Sequence, residues 1–317
     1  MFDVTALGEL LIDFTPGGAS GQGNPLFEAN PGGAPCNVLA MLARLGRRTA
    51  FVWKVGDDLF GRMLKIAIRE AGIGEGGLVL DPAAHTTLAF VHNAPDGDRE
   101  FSFYRDPGAD ELLAPAELPE TLGETRVFHF GSLSLTREPA RAATRAAVER
   151  AAAAGAVISF DPNLRASLWG SLSDARREML WGCSVCQVLK VAEEELSFLT
   201  AEEQLGAGAE KLRRDFPNIR LLLVTRGRAG SAAFWQDLRV DRPGWPVEAI
   251  DTTGAGDTFC GCCLHHILEW GLEGLSEERL GEMLSFANAA AGLVTTRKGA
   301  LRSMPERDEI HRLMAAN

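Results

Sequence analysis

The 317-residue chain is 46% apolar and 24% charged, the balance of a globular protein able to build a sizeable core. A net charge of −11 with scattered arginines excludes the basic stripe of a nucleic-acid binder and gives no general attraction to anionic lipid. No run approaches the roughly 20 apolar residues of a membrane span, the opening MFDVTALGELLIDF lacks a basic n-region, and the six cysteines show no disulfide framework, so a reducing cytoplasm is the expected setting.

Val4–Ile12 reads as a buried strand, with Asp13 just past its end. The Gly-, Pro-, Ser- and Asn-rich stretch Thr15–Pro31 reads as loop or a short exposed hairpin. Gly32-Gly33-Ala34-Pro35 precedes a helix from about Cys36 to Leu45, stopped by Gly46. Thr49–Val55 is a second strand and Leu59–Ala71 a second helix, ended by Gly72. Thr86–Asn93 and Glu100–Tyr104 flank Pro95-Asp-Gly-Asp98 and predict a hairpin standing apart from the main sheet.

From Arg126 onward strand and helix alternate. Strands are predicted at Val127–Phe130, Ala156–Phe160, Val185–Val191, Leu221–Thr225 and Ala232–Trp235. Helices are predicted at Pro139–Ala154, Ser173–Gly182, Glu193–Leu199 and Glu202–Phe216. Such alternation implies a mostly parallel sheet with helices on both faces. The absence of repeats and low-complexity linkers makes one α/β domain over residues 1–317, with a small β insertion, the simplest account.

The segment Asp251-Thr-Thr253-Gly254-Ala255-Gly256-Asp257-Thr-Phe leads into a long apolar helix ending near Gly271. Small residues at 254–256 allow a tight turn, and the first helical amides are orphan donors at the positive end of the dipole. That is an anion site with a carboxylate, Asp257, in its first turn. The pairing suits phosphoryl transfer: the amides hold the transferred phosphoryl, and the carboxylate takes the proton of the attacking hydroxyl. An isolated Gly-x-Gly-Asp would more often be a plain helix cap; the full string is far more specific.

That string resembles the C-terminal signature of the ribokinase-like (PfkB) carbohydrate kinases. Gly32-Gly33-Ala34-Pro35-Cys36-Asn37 with Leu45-Gly46 resembles their sugar-side signature. The resemblance runs from Gly8-Glu9 to Lys298-Gly299-Ala300. Phe103-Tyr-Arg105-Asp-Pro107-Gly-Ala-Asp110, Phe160-Asp161-Pro-Asn-Leu-Arg165 and Thr295-Thr-Arg-Lys298-Gly299-Ala300 look specifically like fructokinases.

The resemblance implies a ribokinase-like fold and ATP with Mg²⁺ as partners of a small-molecule sugar. It assigns Asp13, Gly33, Asn37, Phe103, Arg105 and Arg165 to the sugar. Phe103 and Arg105 share a strand face, so one would pack on the sugar while the other hydrogen-bonds it. Thr225, Gly227, Gly230 and Asn288 fall to the nucleotide, at a strand end and in a late helix. Relatives carry Asn-x-x-Glu near the metal; here Glu195 remains and Ala192 replaces the Asn. Asp251 and the Thr253 carbonyl match a monovalent-cation site, suited to K⁺. A lid from about residues 14–30 and 86–105 would exclude water and pair with a second lid in a homodimer.

Other signals are weaker. Cys183-x-x-Cys186 has no second pair at zinc spacing, and His265 and His266 point to different helix faces. Neither a P-loop nor a protein-kinase catalytic loop occurs. No glycine fingerprint for a dinucleotide follows the first strand, since Gly8-Glu9 runs into Leu10-Leu11-Ile12. The expected activity is phosphorylation of fructose by ATP, with 2-keto-3-deoxygluconate as the rival substrate. A non-catalytic sugar-binding paralogue is the alternative of another class.

Overall fold

The computed structural model describes residues 1–93 and 99–316. The turn expected at 95–98 lies outside them. The chain enters as strand β1 (Phe2–Leu7), followed by β2 (Leu11–Ala19), β3 (Pro25–Gly32), helix α1 (Ala34–Arg44), β4 (Thr49–Gly56), α2 (Leu59–Glu70) and β5 (Ile73–Asp81). Next come β6 (Leu88–Asn93), β7 (Arg99–Tyr104), β8 (Thr125–Gly131), α3 (Ala140–Ala153), β9 (Val157–Asp161), α4 (Leu172–Val185) and β10 (Val188–Ala192). The remainder is α5 (Glu193–Thr200), α6 (Leu205–Asp215), β11 (Leu221–Thr225), β12 (Ser231–Trp235), β13 (Leu238–Arg242), α7 (Ala255–Trp270), α8 (Glu277–Thr295) and α9 (Arg307–Ala315).

Among the described residues, nine strands form one sheet in the order β13-β12-β11-β10-β9-β8-β1-β4-β5. Every pairing from β11 across to β5 is parallel; β12 and β13 are antiparallel. Parallel strands covered by helices read as near-continuous apolar runs. β11, Leu-Leu-Leu-Val-Thr, is such a run and is buried through Val224. The strand order reverses direction beside β1, with β4 on one side and β8 on the other. A crevice opens at such a switch point, outside the C-terminal strand ends.

The second sheet has four strands, β3-β2-β6-β7. Its aromatic residues pack on one another: Phe14 stacks on Phe90 at 4.8 Å, and Phe27 and Tyr104 meet Phe90 at 5.5 and 5.3 Å. Phe14 also meets Phe60 of α2 edge-on at 5.5 Å, which fastens this sheet to the main body.

Four local expectations change. The first strand stops at Leu7, and after Gly8–Leu10 the chain starts β2, so Asp13 lies inside β2 rather than past the end of β1. The 15–31 stretch takes its hairpin reading, but as long strands that start at Leu11 and end at Gly32 rather than as a short one. β5 was not expected, because Gly74, Gly76 and Gly77 dilute its apolar pattern. β10 begins three residues late, because α4 runs on to Val185.

Candidate active site

Helix α7 begins without a side-chain cap. At α2, α4 and α8 the cap residues Asp58, Ser171 and Ser276 each accept a backbone N–H. Before α7 stands Gly254, at φ 80° and ψ 0°, which has no side chain to do so. An added Cβ there would come within 2.8 Å of the Ala300 Cβ. Gly254, Ala255, Gly256 and Asp257 instead line a cavity of about 300 Å³. The Ala255 amide makes a 3.3 Å turn bond to the Thr252 carbonyl; the first-turn backbone and the positive helix end thus border open space, as an anion site requires.

Asp257 is buried, and its Oδ2 accepts a 2.8 Å hydrogen bond from Asn37 Nδ2 on α1. Desolvation raises its pKa; the Asn37 hydrogen bond and the charges of Lys190 and Arg165 oppose that rise. The outcome is a carboxylate fixed in one position and more basic than a free aspartate. Changing Asn37 to Asp would remove the donor and add a like charge, which raises the Asp257 pKa further. The acid limb of the kcat/KM profile of N37D is therefore expected to move to higher pH; a pH–rate series reads it directly.

The same cavity collects most of the predicted sugar-side residues: Asp13, Gly33, Asn37, Phe103 and Arg165. They come from β2, the loop before α1, α1 itself, β7 and the loop after β9. The Asp13 carboxylate accepts no hydrogen bond among the described residues, and the residue lines the cavity. Desolvation pushes Asp13 up to about 7, against the pull of Arg165. Glu9 is likewise pushed up to about 7 by burial. One of its oxygens caps α1 by accepting the Ala34 amide at 3.0 Å.

Arg105 does not join them. β7 ends at Tyr104, so the two-residue alternation stops before it reaches Arg105. Its Nε donates to Asp110 at 2.6 Å and its Nη1 to Thr136 at 3.2 Å, and it lines neither cavity. Its Nη2 is buried without a hydrogen-bond partner among the described residues.

A second cavity, of about 730 Å³, has Trp245, Pro246, Val247, Phe259 and Ala291 among its walls. The predicted Thr225, Gly227, Gly230 and Asn288 line it too. The Asn288 amide is committed to the protein: Nδ2 donates to the carbonyls of Arg242 and Pro243 at 3.2 and 3.0 Å, and Oδ1 accepts from Ser231 at 2.9 Å. It clamps the loop after β13 that forms the cavity wall. The two cavities share Thr252, Ala255 and Gly256, so they meet at the first turn of α7.

The expected metal ligands fasten backbone. Glu195 Oε2 accepts the Ala192 amide at 2.8 Å at the start of α5; its Oε1 accepts the Leu164 amide at 2.7 Å. Asp251 accepts the amides of Thr253 at 2.8 Å and Gly299 at 3.2 Å. The second of these bonds ties the loop before α7 to the one after α8.

Glu9, Asn163 and Lys190 line the first cavity and were not foreseen. Asn163 sits at φ 45°, the left-handed region where Asn is the commonest residue after glycine. Lys190 interrupts an apolar strand, which signals a buried partner.

The family model for "pfkB family carbohydrate kinase" matches residues 1–307. Fructokinase-1 of Oryza sativa subsp. japonica is 45% identical over 315 residues, covering 98% of this chain and 97% of that one. Fructokinase-1 of Zea mays is 44% identical with the same coverage. The crystal structure of fructokinase from Xylella fastidiosa with bound ATP superposes at TM-score 0.88, with 32% identity, covering 100% of this chain and 99% of that one. Fructokinase from Vibrio cholerae O395, solved with fructose, ADP and calcium ion, gives TM-score 0.87 at 30% identity, covering 98% and 99%. With the uncapped α7 turn and its buried carboxylate set in the same α/β frame as these proteins, the chain belongs to the pfkB family of carbohydrate kinases.

Proposed function

We propose that the chain is an ATP-dependent fructokinase, which makes fructose 6-phosphate and ADP. The observation that carries this reading is the meeting of two cavities at one uncapped helix turn, with Asp257 on the sugar side. A polar cavity suits a sugar and a larger, more apolar one suits a purine, and the group to be transferred then lies where the helix amides point.

Asp13 takes sugar hydroxyls with both oxygens, the Arg165 fork donates to others, and Phe103 packs on the C–H face of the ring. Asp257, turned by Asn37 toward the cavity, takes the proton of the attacking hydroxyl. The amides of 254–256 hold the transferred phosphoryl in line with that hydroxyl and stabilise its charge. Among the described residues no three His, Cys, Asp or Glu side chains converge on a point. A divalent ion such as Mg²⁺ would enter on the nucleotide phosphates and would supply charge neutralisation there.

The names of the plant relatives and the ligands in the two solved bacterial proteins support fructose and ATP as the substrates. The small sheet supplies Asp13 and Phe103 to the cavity, and Leu26, Phe27 and Tyr104 remain exposed on it. These facts support its role as a lid over the sugar that meets a second copy.

A coupled ADP-release assay over fructose, 2-keto-3-deoxygluconate, ribose and nucleosides tests the reading. Fructose is expected to give the highest kcat/KM. A higher value for 2-keto-3-deoxygluconate would replace fructose as the substrate, and no ADP with any of them would sink the kinase reading.

A further inference from the structure

Lys190 has no part in the reaction as derived above. It is the central residue of β10, Val-Leu-Lys-Val-Ala, and its side chain is 7% exposed. A buried ammonium is costly unless paired and hydrogen-bonded. Its partner is Asp161, the last residue of the neighbouring parallel strand β9. The Nζ lies 3.0 Å from Oδ2 and 3.2 Å from Oδ1. Desolvation works to discharge the lysine, but the facing carboxylates of Asp161, Glu195 and Asp257 more than offset it, so its pKa is raised and it stays an ammonium.

A pair buried for stability alone would be closed off by apolar neighbours. This one is not. Lys190 forms part of the cavity wall together with Gly254, Ala255, Gly256 and Asp257. A Cβ added at Gly256 would lie 3.0 Å from the Lys190 Nζ, tighter than ordinary packing, so the ammonium lies against the backbone of the anion turn itself. Two positive features therefore converge on one point: the α7 N-terminus and the Lys190 charge. Asp161 balances the ammonium from one side, and an anion seated on the α7 turn would lie against its other side and gain from both positive features.

We propose that Lys190 is a catalytic residue of phosphoryl transfer, whose ammonium bonds the non-bridging oxygens of the γ-phosphoryl across from the α7 amides. Asp161 is its positioning residue. The proposal rests on the kinase reading above. In the step, the sugar hydroxyl oxygen forms a bond to the γ-phosphorus, and the bond from that phosphorus to the β–γ bridging oxygen breaks. The broken bond's electron pair stays on that oxygen, which leaves as ADP, and the hydroxyl proton passes to Asp257. Lys190 keeps its protons throughout and stabilises charge on the group in flight.

Changing Lys190 alone would strand the Asp161 charge in the core, so the test uses the double variant Lys190→Met, Asp161→Asn, which removes both charges. Wild type must first release ADP with a sugar; if it does not, the kinase reading itself fails. Given that activity, the double variant is expected to keep its far-UV spectrum and its affinity for ADP. Its kcat is expected to fall at least about 30-fold, a floor below the roughly 10²–10³-fold loss usual for one oxyanion donor, with the fructose KM within about threefold. Affinity for ADP with aluminium fluoride, a mimic of the phosphoryl in flight, should fall by a similar factor. A folded double variant that loses less than about 30-fold in kcat, or that binds the aluminium fluoride complex as wild type does, overturns the proposal and leaves the kinase reading intact. If the double variant does not fold, Lys190→Arg decides: it keeps the ion pair but places its nitrogens differently. A kcat at least about tenfold below wild type with unchanged ADP affinity supports the proposal, and a smaller change overturns it.

Discussion

Replacing Asp257 by Asn is expected to lower kcat by about 10²–10⁴-fold, the usual worth of a positioned base, while the KM for fructose changes little. The fold should tolerate the exchange. Asn retains an oxygen to accept the 2.8 Å bond from Asn37, and it removes a charge that burial disfavours. The amides of 254–256 and the sugar cavity are untouched, so both substrates still bind. What is lost is the buried carboxylate that Asn37 holds at the helix turn. The pH profile gives an independent reading. A base works when deprotonated, and burial raises the Asp257 pKa above the ordinary aspartate value. In wild type the rate of the chemical step therefore rises with pH through that raised value, and in D257N this limb vanishes. Steady-state kinetics with fructose, across pH, checks both. Near wild-type turnover in D257N would mean that another group takes the proton.

Gly33→Ala is expected to be the most damaging change to the sugar side. Gly33 holds φ 131° and ψ 125°, a conformation that side chains rarely adopt. Its missing Cβ would also point into the Glu9 carbonyl, far inside van der Waals contact. The backbone of Glu9 cannot retreat cheaply, since its side chain caps α1 through Ala34. Strain plus overlap should cost about 2–4 kcal/mol, or roughly 3–6 °C in Tm for a chain of this size. Relief of the overlap must move either the start of α1, which carries Asn37, or the segment leading to Asp13. Either shift disturbs a residue of the cavity, so kcat/KM for fructose should fall together with Tm. Thermal unfolding and saturation kinetics on the same preparation test this; an unchanged Tm would refute the close approach.

The parts legible in the sequence were those specified by neighbours along the chain. The run Gly254-Ala-Gly256-Asp257 before an apolar helix shows its anion turn because the donors and the carboxylate lie within one helical turn. The strand and helix alternation after Arg126 is local in the same way. The misplacements share a different cause. Whether Leu11–Ala19 continues β1 or starts another sheet depends on pairing with β3 and β6, residues 25–32 and 88–93. Arg105 is decided by Asp110 and Thr136. Glu195, expected beside the metal, also accepts the Ala192 and Leu164 amides, and the second of these contacts lies 31 residues away and is invisible in the local sequence. Lys190 was overlooked because its partner Asp161 lies on another strand; an isolated lysine in an apolar five-residue strand was the signal available.

The hydrogen bond that orients Asp257 joins residues 220 positions apart. β1 likewise pairs with β8, which arrives more than a hundred residues later. Contacts of such separation form after local ones, because the loop they close must first be ordered. During synthesis the sugar half of the site emerges long before the turn that supplies the base. A nascent or truncated chain ending ahead of α7 holds Asn37 with nothing to hold. Turnover is thus a property of the finished chain, and its recovery on refolding reports the joining of the two ends of the protein rather than the formation of either one.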